Sequence, residues 1–250
     1  MKFGESVVSW IDHEQTRENM RMGRQIAMMI PLVVSKSAGG RWRGYAARLA
    51  SAWARVENPT IREFGIVRLL GEDLRRHGLD LLCPGFKAVA VYRFGAWARM
   101  IRFAGWRVPL LLLHGIFFRH VRNTYGIEIY STAQIGRRLL IGHQNGIVIH
   151  RFATFGDDCL IRQGVTFGEA GLGRDNFAAG VGPVVGDHVD IGAGAVVIGN
   201  VRIGSNVNIG PNAVVLTDVP AGTTVLAPPA RMMLRSGGGG AARISTDLEG

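Results

Sequence analysis

A six-residue period dominates the second half of the chain. Aliphatic residues recur at this interval without a miss, and four of the six are followed directly by glycine: Val185, Ile191, Val197, Ile203, Ile209 and Val215. An α-helix cannot use such a period, because successive apolar residues would rotate off one face within two repeats. A short strand followed by a tight turn can use it, and glycine permits the unusual dihedral angles of the turn. The repeat therefore predicts coils of three short strands stacked around one aliphatic core.

Two earlier blocks extend the period to the middle of the chain. The first comprises Ile129, Ile135, Ile141 and Ile147, and the second, shifted by two residues, comprises Ile149, Phe155, Ile161 and Phe167. A β-sandwich is the alternative fold, but it would show longer alternating strands with turns about every 8 to 12 residues. The strict period favours the stacked coils.

One segment, residues 168–184, interrupts the repeat. It is rich in glycine and lacks the expected aliphatic residues at Gly173 and Ala179. Long insertions cost a solenoid core little and often carry function. We therefore predict a loop that leaves the coil, from which Glu169, Arg174 and Asp175 can reach a site.

The first half of the chain has a helical pattern. Apolar residues at three- and four-residue spacings, with arginines on the opposite stripe, predict helices over 48–56, 60–77, 86–103 and 110–123, with breaks at 58–59, 83–85 and 109. The two patterns together predict an α + β chain, with an N-terminal helical subdomain followed by a parallel β-helix built of hexapeptide repeats. Its predicted parts are a helical or loosely ordered arm (1–58), the helical subdomain (59–125), the β-helix (126–232) and a glycine-rich tail (233–250).

The net charge of +10 comes entirely from the helical half. Residues 1–125 carry 20 basic and 9 acidic side chains, whereas residues 126–250 carry 9 and 10. A nucleic-acid reader would combine basic residues with stacking aromatics in a known motif, which the sequence lacks, so no nucleic-acid partner is expected. Two interpretations of the arginine stripes stay open: a solvated face with helix pairing in an oligomer, and weak association with an anionic membrane.

Cysteine content and hydropathy point to the cytoplasm. Cys83 and Cys159 are too few for a disulfide framework and lack the partners of a zinc site, so no metal is expected. The longest uncharged apolar stretches, 25–35 and 108–118, have 11 residues each, well short of the roughly 20 that span a bilayer. We therefore expect a cytoplasmic protein without a transmembrane helix, peripheral to a membrane at most.

Four segments resemble the hexapeptide-repeat acyltransferases, and specifically the serine acetyltransferase branch. They are PGFKAVAVYR at 84–93, GIEI at 126–129, DDCLIRQGVTFG at 157–168, and the stretch 212–222 that contains NAVVL and VPAG. The resemblance covers roughly residues 65–232. It implies that the β-helix is left-handed, that the chain forms a homotrimer, with helical parts that pair trimers in some members, and that acetyl-CoA binds along a groove between neighbouring coils.

Acetyl transfer to a hydroxyl requires a base that takes the hydroxyl proton. Such a base contributes about 10²- to 10⁴-fold, and histidine suits the task because its unperturbed pKa is about 6.5. His143 aligns with the family's catalytic histidine and directly follows an Ile-Gly pair, so its side chain should project from the coil. His150 is the second candidate. The remaining five are expected to be an exposed corner residue, His188, and ordinary helix residues, His13, His77, His114 and His120.

Other residues are predicted to support His143. With a coil of 18 residues and the two-residue offset between blocks, Gln163 should lie beside His143 in the following coil. Gln163 would orient the imidazole, hold the acceptor, or serve only as an amide at the corner of the coil. Asp157 and Asp158 are alternative residues for orienting the imidazole. For acetyl-CoA the candidates are Gly192, Ala193, Gly194, Ala195, Asn212 and Ala213 along the groove and Arg231 near the phosphates. Plain corner geometry also explains the glycines and alanines.

The acceptor side departs from the family pattern at four places. Gly142 stands where the family has an aspartate that orients the histidine, 181–183 lacks the histidine before its proline, and Arg151 replaces an acidic residue. An Arg-Asp-Pro-like segment before Pro84 is also missing. Because an amino-acid acceptor needs carboxylates to pair its ammonium, these changes weaken L-serine as the acceptor.

The resemblance and the residues together predict an acetyl-CoA-dependent O-acetyltransferase with His143 as the general base. L-serine is the acceptor by family default. A sugar hydroxyl of a surface polysaccharide or its precursor is the alternative that the altered residues favour. A non-catalytic β-helix that binds a partner or assembles complexes is the second alternative.

Overall fold

The computed structural model describes residues 53–168 and 181–231. Its helical part comprises α1 (Pro59–Phe64), α2 (Ile66–Arg76), α3 (Pro84–Met100) and α4 (Ala104–Tyr125). Pro59 begins α1 where its missing N–H costs nothing, and the side chain of Asn58 caps the helix by accepting from the Ile61 N–H. None of the helices in these two ranges is long and apolar enough to cross a bilayer.

The structure corrects the predicted helix boundaries. The helix predicted over 60–77 is two helices, because Gly65, with a φ of 74° and a ψ of 148°, adopts a backbone conformation that side chains disfavour and that ends α1. Pro109, predicted as a break, lies inside α4, which continues because its buried face packs along α3. Residues 53–56, the described end of the helix predicted over 48–56, are not helical.

The second half forms three parallel sheets whose strands follow one another around a triangular coil. Sheet A has the order β1-β4-β7-β10-β13, sheet B β11-β8-β5-β2, and sheet C β14-β12-β9-β6-β3. The strands are β1 (Ile127–Ile129), β2 (Gln134–Ile135), β3 (Leu140–Ile141), β4 (Ile147–Ile149), β5 (Thr154–Phe155), β6 (Leu160–Ile161), β7 (Thr166–Gly168), β8 (Val184–Val185), β9 (Asp190–Ile191), β10 (Val196–Ile198), β11 (Arg202–Ile203), β12 (Asn208–Ile209), β13 (Val214–Val215) and β14 (Thr224–Val225). The predicted succession of helices and a parallel β-helix is confirmed.

The six-residue period fills the interior of the β-helix. Its predicted inward positions are each at most 3% exposed: Val185, Ile191, Val197, Ile203, Ile209 and Val215. Burying such a side chain stabilises the fold by about 1.5–3 kcal/mol. The rings of Phe155 and Phe167 pack edge to face in this interior, with their centroids 4.7 Å apart. The core therefore runs without interruption along the β-helix axis.

The strand register shows where the coil is lengthened. Partners are 18 residues apart from β8 to β13, as in Val184↔Arg202, and 16 apart in the last pair, Asn208↔Thr224. The spacing is 30 residues for Thr154↔Val184 and Thr166↔Val196, and the surplus falls between β7 and β8. Residues 169–180, which include Glu169, Arg174 and Asp175, lie outside the described part of the chain.

Side chains from α3 cover the end of the β-helix at β2. The Tyr92 hydroxyl accepts from the Ile135 N–H (3.1 Å) and donates to the Ala133 carbonyl (2.9 Å). The Arg93 guanidinium donates to the carbonyls of Ile135 (2.8 Å) and Gly136 (2.6 Å). The helical subdomain thus supplies hydrogen bonds that a preceding coil would otherwise provide.

Candidate active site

The candidate site lies along one corner of the β-helix, where the chain passes from sheet C to sheet A. We call residues 142–146, 162–164, 192–195 and 210–213 the C/A corner. Three backbone hydrogen bonds of 2.8 Å stack its levels, from Gly164 N–H to the Asn145 carbonyl, from Gly194 to Gln163, and from Asn212 to Ala193. This stacking brings His143, Gln163 and six of the seven predicted donor-binding residues to one corner, but Ala195 and Ala213 are at most 2% exposed and belong to its core, and Gly192 is also buried.

Glycine allows the levels of this corner to approach closely. Gly164 has a φ of 73° and lies between Gly146 and Gly194, which also have positive φ. A Cβ on Gly164 would be 3.3 Å from the Cα of Gly194, and a Cβ on Gly146 would be 3.3 Å from the Cα of Gly164. The narrow edge therefore follows from corner geometry, whether or not a ligand binds there.

His143 is exposed in the longest turn of this corner. The pair Ile141↔Ile161 is 20 residues apart, whereas Val148↔Thr166 is 18 apart, so the turn containing His143 has two extra residues. Neither the imidazole of His143 nor the amide of Gln163 makes a side-chain hydrogen bond within residues 53–168 and 181–231. Among the described residues, nothing occupies the hydrogen-bonding groups of either side chain.

Gln163 occupies the next level of the same corner. If the two turns are aligned on the paired strands β3 and β6, Gln163 lies beside His143. If they are aligned on the stacked Gly146 and Gly164, Gln163 lies beside Asn145. Its backbone carbonyl accepts from Gly194, and its side chain is exposed. Its position beside the imidazole stays a prediction.

The position of Gly142 is open rather than crowded. A Cβ there would have Leu160 Cδ1 at 3.6 Å and Arg162 Cγ at 3.9 Å as its nearest neighbours. Arg162 pairs with Asp190 on the adjacent strand, with Nη2 3.2 Å from Oδ2, and both side chains are over one-third exposed. Sequence analysis missed Arg162, although its place directly after inward Ile161 could have indicated it.

Most backbone amides of the predicted donor-binding residues already have partners. The N–H groups of Gly192, Gly194, Ala195, Asn212 and Ala213 donate to carbonyls of the β-helix at 2.7–3.3 Å. A ligand at this edge would therefore meet side chains and carbonyls more than free amides. Arg231 is exposed at the end of the described residues.

The two carboxylates proposed as alternatives to Gln163 for orienting the His143 imidazole lie away from the C/A corner. Asp157 and Asp158 lie at the corner between sheets B and C, where Asp157 accepts from the Arg137 N–H at 2.7 Å. A hydrogen bond from Arg138 holds the pKa of Asp158 below its usual value. The structure therefore does not bring either carboxylate to the C/A corner, and both belong to a network of ion pairs.

The other described histidines differ in exposure. His188 is exposed, with its Nε2 3.7 Å from Asp158 Oδ2. His150 contacts the Phe152 ring, with centroids 5.4 Å apart. His77 and His114 are buried, and His120 is exposed on α4, while His13 lies outside the described part of the chain. Only His143 is at the C/A corner.

Comparison with known proteins agrees with this architecture. Residues 182–217 match the family model described as bacterial transferase hexapeptide (six repeats). The chain is 42% identical over 164 residues to a serine acetyltransferase of Synechococcus elongatus, covering 65% of this chain and 63% of that protein. It is 40% identical over 141 residues to the one of Staphylococcus xylosus, covering 56% and 63%. The chain thus spans less than two thirds of these relatives.

Solved structures show the same fold. Neisseria gonorrhoeae serine acetyltransferase in complex with serine superposes with a TM-score of 0.53 and 27% identity, over 75% of this chain and 74% of that one. Soybean serine acetyltransferase complexed with serine gives 0.55 and 28%, over 76% and 74%. The resemblance to serine acetyltransferase-like hexapeptide-repeat proteins is confirmed.

Proposed function

We propose that this chain is an acetyl-CoA-dependent O-acetyltransferase in which His143 is the general base. The observation that carries the proposal is the C/A corner, along which exposed His143 and six candidate donor-binding residues are stacked. Similarity to serine acetyltransferases over the helical and repeat parts supports the same chemistry.

The proposed reaction is a proton-coupled acyl transfer. The acceptor hydroxyl oxygen attacks the thioester carbonyl of acetyl-CoA while the His143 imidazole takes the hydroxyl proton. The carbon–sulfur bond breaks, and the departing thiolate of CoA receives that proton from the imidazolium. The products are an acetyl ester and CoA, and His143 is neutral again. Gln163 is proposed to hold the imidazole or the acceptor through its amide.

The donor groove is proposed to use groups that the β-helix leaves free. These are the exposed Asn212 side chain, the half-buried backbone of Ala193 and Gly194, and the Arg231 guanidinium for a phosphate. Gly192, Ala195 and Ala213 are buried, so they are proposed to shape the groove and not to contact the donor. Beside this edge, Val214 and Leu216 are each 62% exposed and Leu226 is 73% exposed. Exposed apolar residues on a β-helix support its assembly with other copies, which we propose to be a homotrimer.

Two acceptors fit the proposal differently. L-serine would need an acidic partner for its ammonium, yet the side chains nearest to the Gly142 position are Leu160 and Arg162, and the Asp190 carboxylate beside them is already paired with Arg162. A sugar hydroxyl has no such need, so this observation favours a saccharide acceptor. The non-catalytic alternative predicts no transfer to either acceptor.

Thiol release from acetyl-CoA, followed with L-serine and with a panel of sugars, tests the function. Wild type should release CoA with at least one acceptor, and His143→Ala should lower kcat by about 10²- to 10⁴-fold. His188→Ala, a change at an exposed histidine of another corner, is the matched control and should retain full activity. Absence of turnover in the wild type with every acceptor would favour the binding or assembly protein.

We place the activity in the cytoplasm, attached at the periphery of an anionic membrane. Both cysteines are free, which suits a reducing compartment. Burial raises the pKa of Cys159 to about 12, which keeps this thiol unreactive. The exposed face of α4 supports the attachment: its apolar side chains are 41–69% exposed, namely Phe103 just before the helix and Trp106, Leu112, Leu113, Ile116 and Phe117.

The arginines beside this face of α4 favour its contact with a lipid surface over contact with a second copy of the chain. Arg102, Arg119 and Arg122 flank the apolar patch and are exposed, and none forms an ion pair with a described carboxylate. Symmetric pairing of two such faces would bring arginines together, whereas anionic lipids would neutralise them.

Vesicle sedimentation tests this attachment. The full chain should bind phosphatidylglycerol vesicles at low salt and much less at high salt, and should ignore phosphatidylcholine vesicles. Ile116→Glu should abolish binding, whereas Val67→Glu, at a more exposed site on α2, should not. Equal binding by both variants, or self-association that depends on Ile116 without vesicle binding, contradicts the proposal.

A further inference from the structure

The strand that leads to His143 has an open edge. Among the described strands, β3 (Leu140–Ile141) lies at the end of sheet C and pairs with β6 alone. The N–H groups of Leu140 and Gly142 donate to carbonyls of that neighbour, each at 2.9 Å. Because N–H groups alternate sides along a strand, the Ile141 N–H points away from β6. It needs a partner from outside the sheet.

His77 provides that partner. Its Nε2 lies 3.2 Å from the Ile141 nitrogen, and its Nδ1 lies 2.7 Å from the Asp73 carbonyl oxygen. The second contact requires an N–H on Nδ1, so Nε2 carries the lone pair that accepts from Ile141. The imidazole is therefore held as one neutral tautomer, and it is only 8% exposed at the end of α2.

Close packing from α3 leaves this arrangement little freedom. A Cβ on Gly85 would be 2.6 Å from the Ile141 carbonyl oxygen and 3.1 Å from His77 Nε2. The backbone of α3 thus rests directly against Ile141, and the His77 ring lies between α2 and β3. The Phe86 ring, 6.1 Å away between centroids, covers another side of the imidazole.

We propose that His77 is a positioning residue that fixes the end of β3, and through it the backbone of His143 two residues later, and that it does so only while neutral. Its effect on catalysis rests on the proposed function of His143. Its effect on β3 does not.

Protonation of His77 would turn its Nε2 from a hydrogen-bond acceptor into a donor. A charged imidazole has N–H groups on both nitrogens, so Nε2 would point a hydrogen at the Ile141 N–H and the hydrogen bond would be lost. The charged groups around the ring are Asp73 and Arg76 on α2 and Arg93 on α3, which pairs with Asp73. Burial lowers the pKa of His77, and the Asp73 carbonyl and carboxylate oppose that change. Acidification therefore weakens the link between the helices and the strand that carries His143.

Hydrogen exchange at the Ile141 amide tests the proposal without requiring activity. In His77→Phe, which keeps a ring but loses the acceptor, the Ile141 amide should exchange about tenfold faster than in wild type. In His77→Gln, whose Oε1 can reach the place of Nε2, protection should be retained. Because burial holds the pKa of His77 below its ordinary value of about 6.5, wild type should lose protection only as the pH falls below about 6.5, after correction for intrinsic rates, whereas His77→Gln should not.

Kinetics then test the catalytic consequence. His77→Phe should lower kcat with little change in the KM for acetyl-CoA, and His77→Gln should restore kcat and remove the acid loss that depends on His77. If His77→Phe does not fold, the pH comparison between wild type and His77→Gln decides. Unchanged Ile141 protection in a folded His77→Phe, or the same acid loss in His77→Gln, overturns the proposal. Normal exchange results without any turnover would instead refute the proposed function.

Discussion

Arg93 and Asp73 form a fully buried ion pair, with Nε 2.9 Å from Oδ2 and neither side chain exposed. Arg93 also donates to the carbonyls of Ile135 and Gly136, so one guanidinium joins α2, α3 and β2. Burial raises the pKa of Asp73, and the positive charge of Arg93 opposes this rise. The junction between helices and β-helix thus depends on a charge that water does not reach.

Arg93→Met should destabilise the protein by about 3–5 kcal/mol, because it leaves the Asp73 carboxylate buried without its cation. The loss should shrink as the pH falls, since a protonated Asp73 carries no charge. Chemical denaturation at several pH values measures both effects.

The double variant Arg93→Met/Asp73→Leu is the control for this interpretation. It removes both charges and should regain much of the stability lost in the single variant. If the double variant is no more stable than Arg93→Met, the lost backbone hydrogen bonds, and not the unpaired carboxylate, cause the loss.

Acid should weaken the packing of α3 on α4 through His114. The ring is buried beside Gly95 and Phe118, and its Nε2 has no hydrogen-bond partner in the described part of the chain. Burial, and then the charge of Arg99, lower the pKa of His114 to about 4. A lowered histidine pKa gives stability that is complete above the unfolded value and is lost as the pH falls toward the folded one.

This pKa predicts a loss of about 2 kcal/mol of unfolding free energy from about pH 7.5 to about pH 5. His114→Leu should remove that part of the pH dependence, as measured by urea denaturation at both pH values. His120→Leu, at an exposed position of the same helix, should leave it intact. Identical pH profiles for wild type and His114→Leu would contradict the assignment.

Two glycines near the last turn of the β-helix allow the loss of stability from a steric clash to be compared with the loss from an unfavourable backbone dihedral angle. A Cβ on Gly204 would be 2.4 Å from the backbone nitrogen of Ala221, whereas Gly222 has open space and a φ of 70°. Gly204→Ala should cost about 3 kcal/mol through the clash, and Gly222→Ala about 1 kcal/mol through its left-handed backbone. Urea denaturation measures both, and a larger loss for Gly222→Ala would refute the register at this turn.

Gly142→Asp should shift acceptor preference toward L-serine. The site accepts a side chain without a clash, and a carboxylate there could pair the ammonium of an amino acid besides orienting His143. Orientation of His143 would help every acceptor alike, so it cancels in a ratio between acceptors. The ratio of kcat/KM for L-serine to that for the best sugar should rise about tenfold, which is the effect of about 1.4 kcal/mol. Gly142→Asn has the same shape without the charge and should not produce this shift. An equal shift in both variants would show that shape alone sets the preference.

The sequence predicted the β-helix and its core because each inward aliphatic recurs at one fixed interval, so that Ile191 and Val197 report the same geometry. It missed the break at Gly65 because a single glycine is also tolerated inside helices. It could not fix the level of Gln163, since the turn at His143 has two extra residues that belong to neither strand. His77 gave no signal at all, because its partner Ile141 is 64 residues away and contributes only a backbone N–H.

The hydrogen bonds that the N–H groups of Ile135 and Ile141 donate to Tyr92 and His77 also cover the edges of β2 and β3. A strand from another molecule can pair with the edge of a sheet through the unpaired N–H and carbonyl groups of the edge strand. At β2 and β3 those N–H groups are already taken by a phenol and an imidazole. The edges of β2 and β3 therefore offer no unpaired N–H at Ile135 or Ile141 to an incoming strand, and loss of either cap would free one.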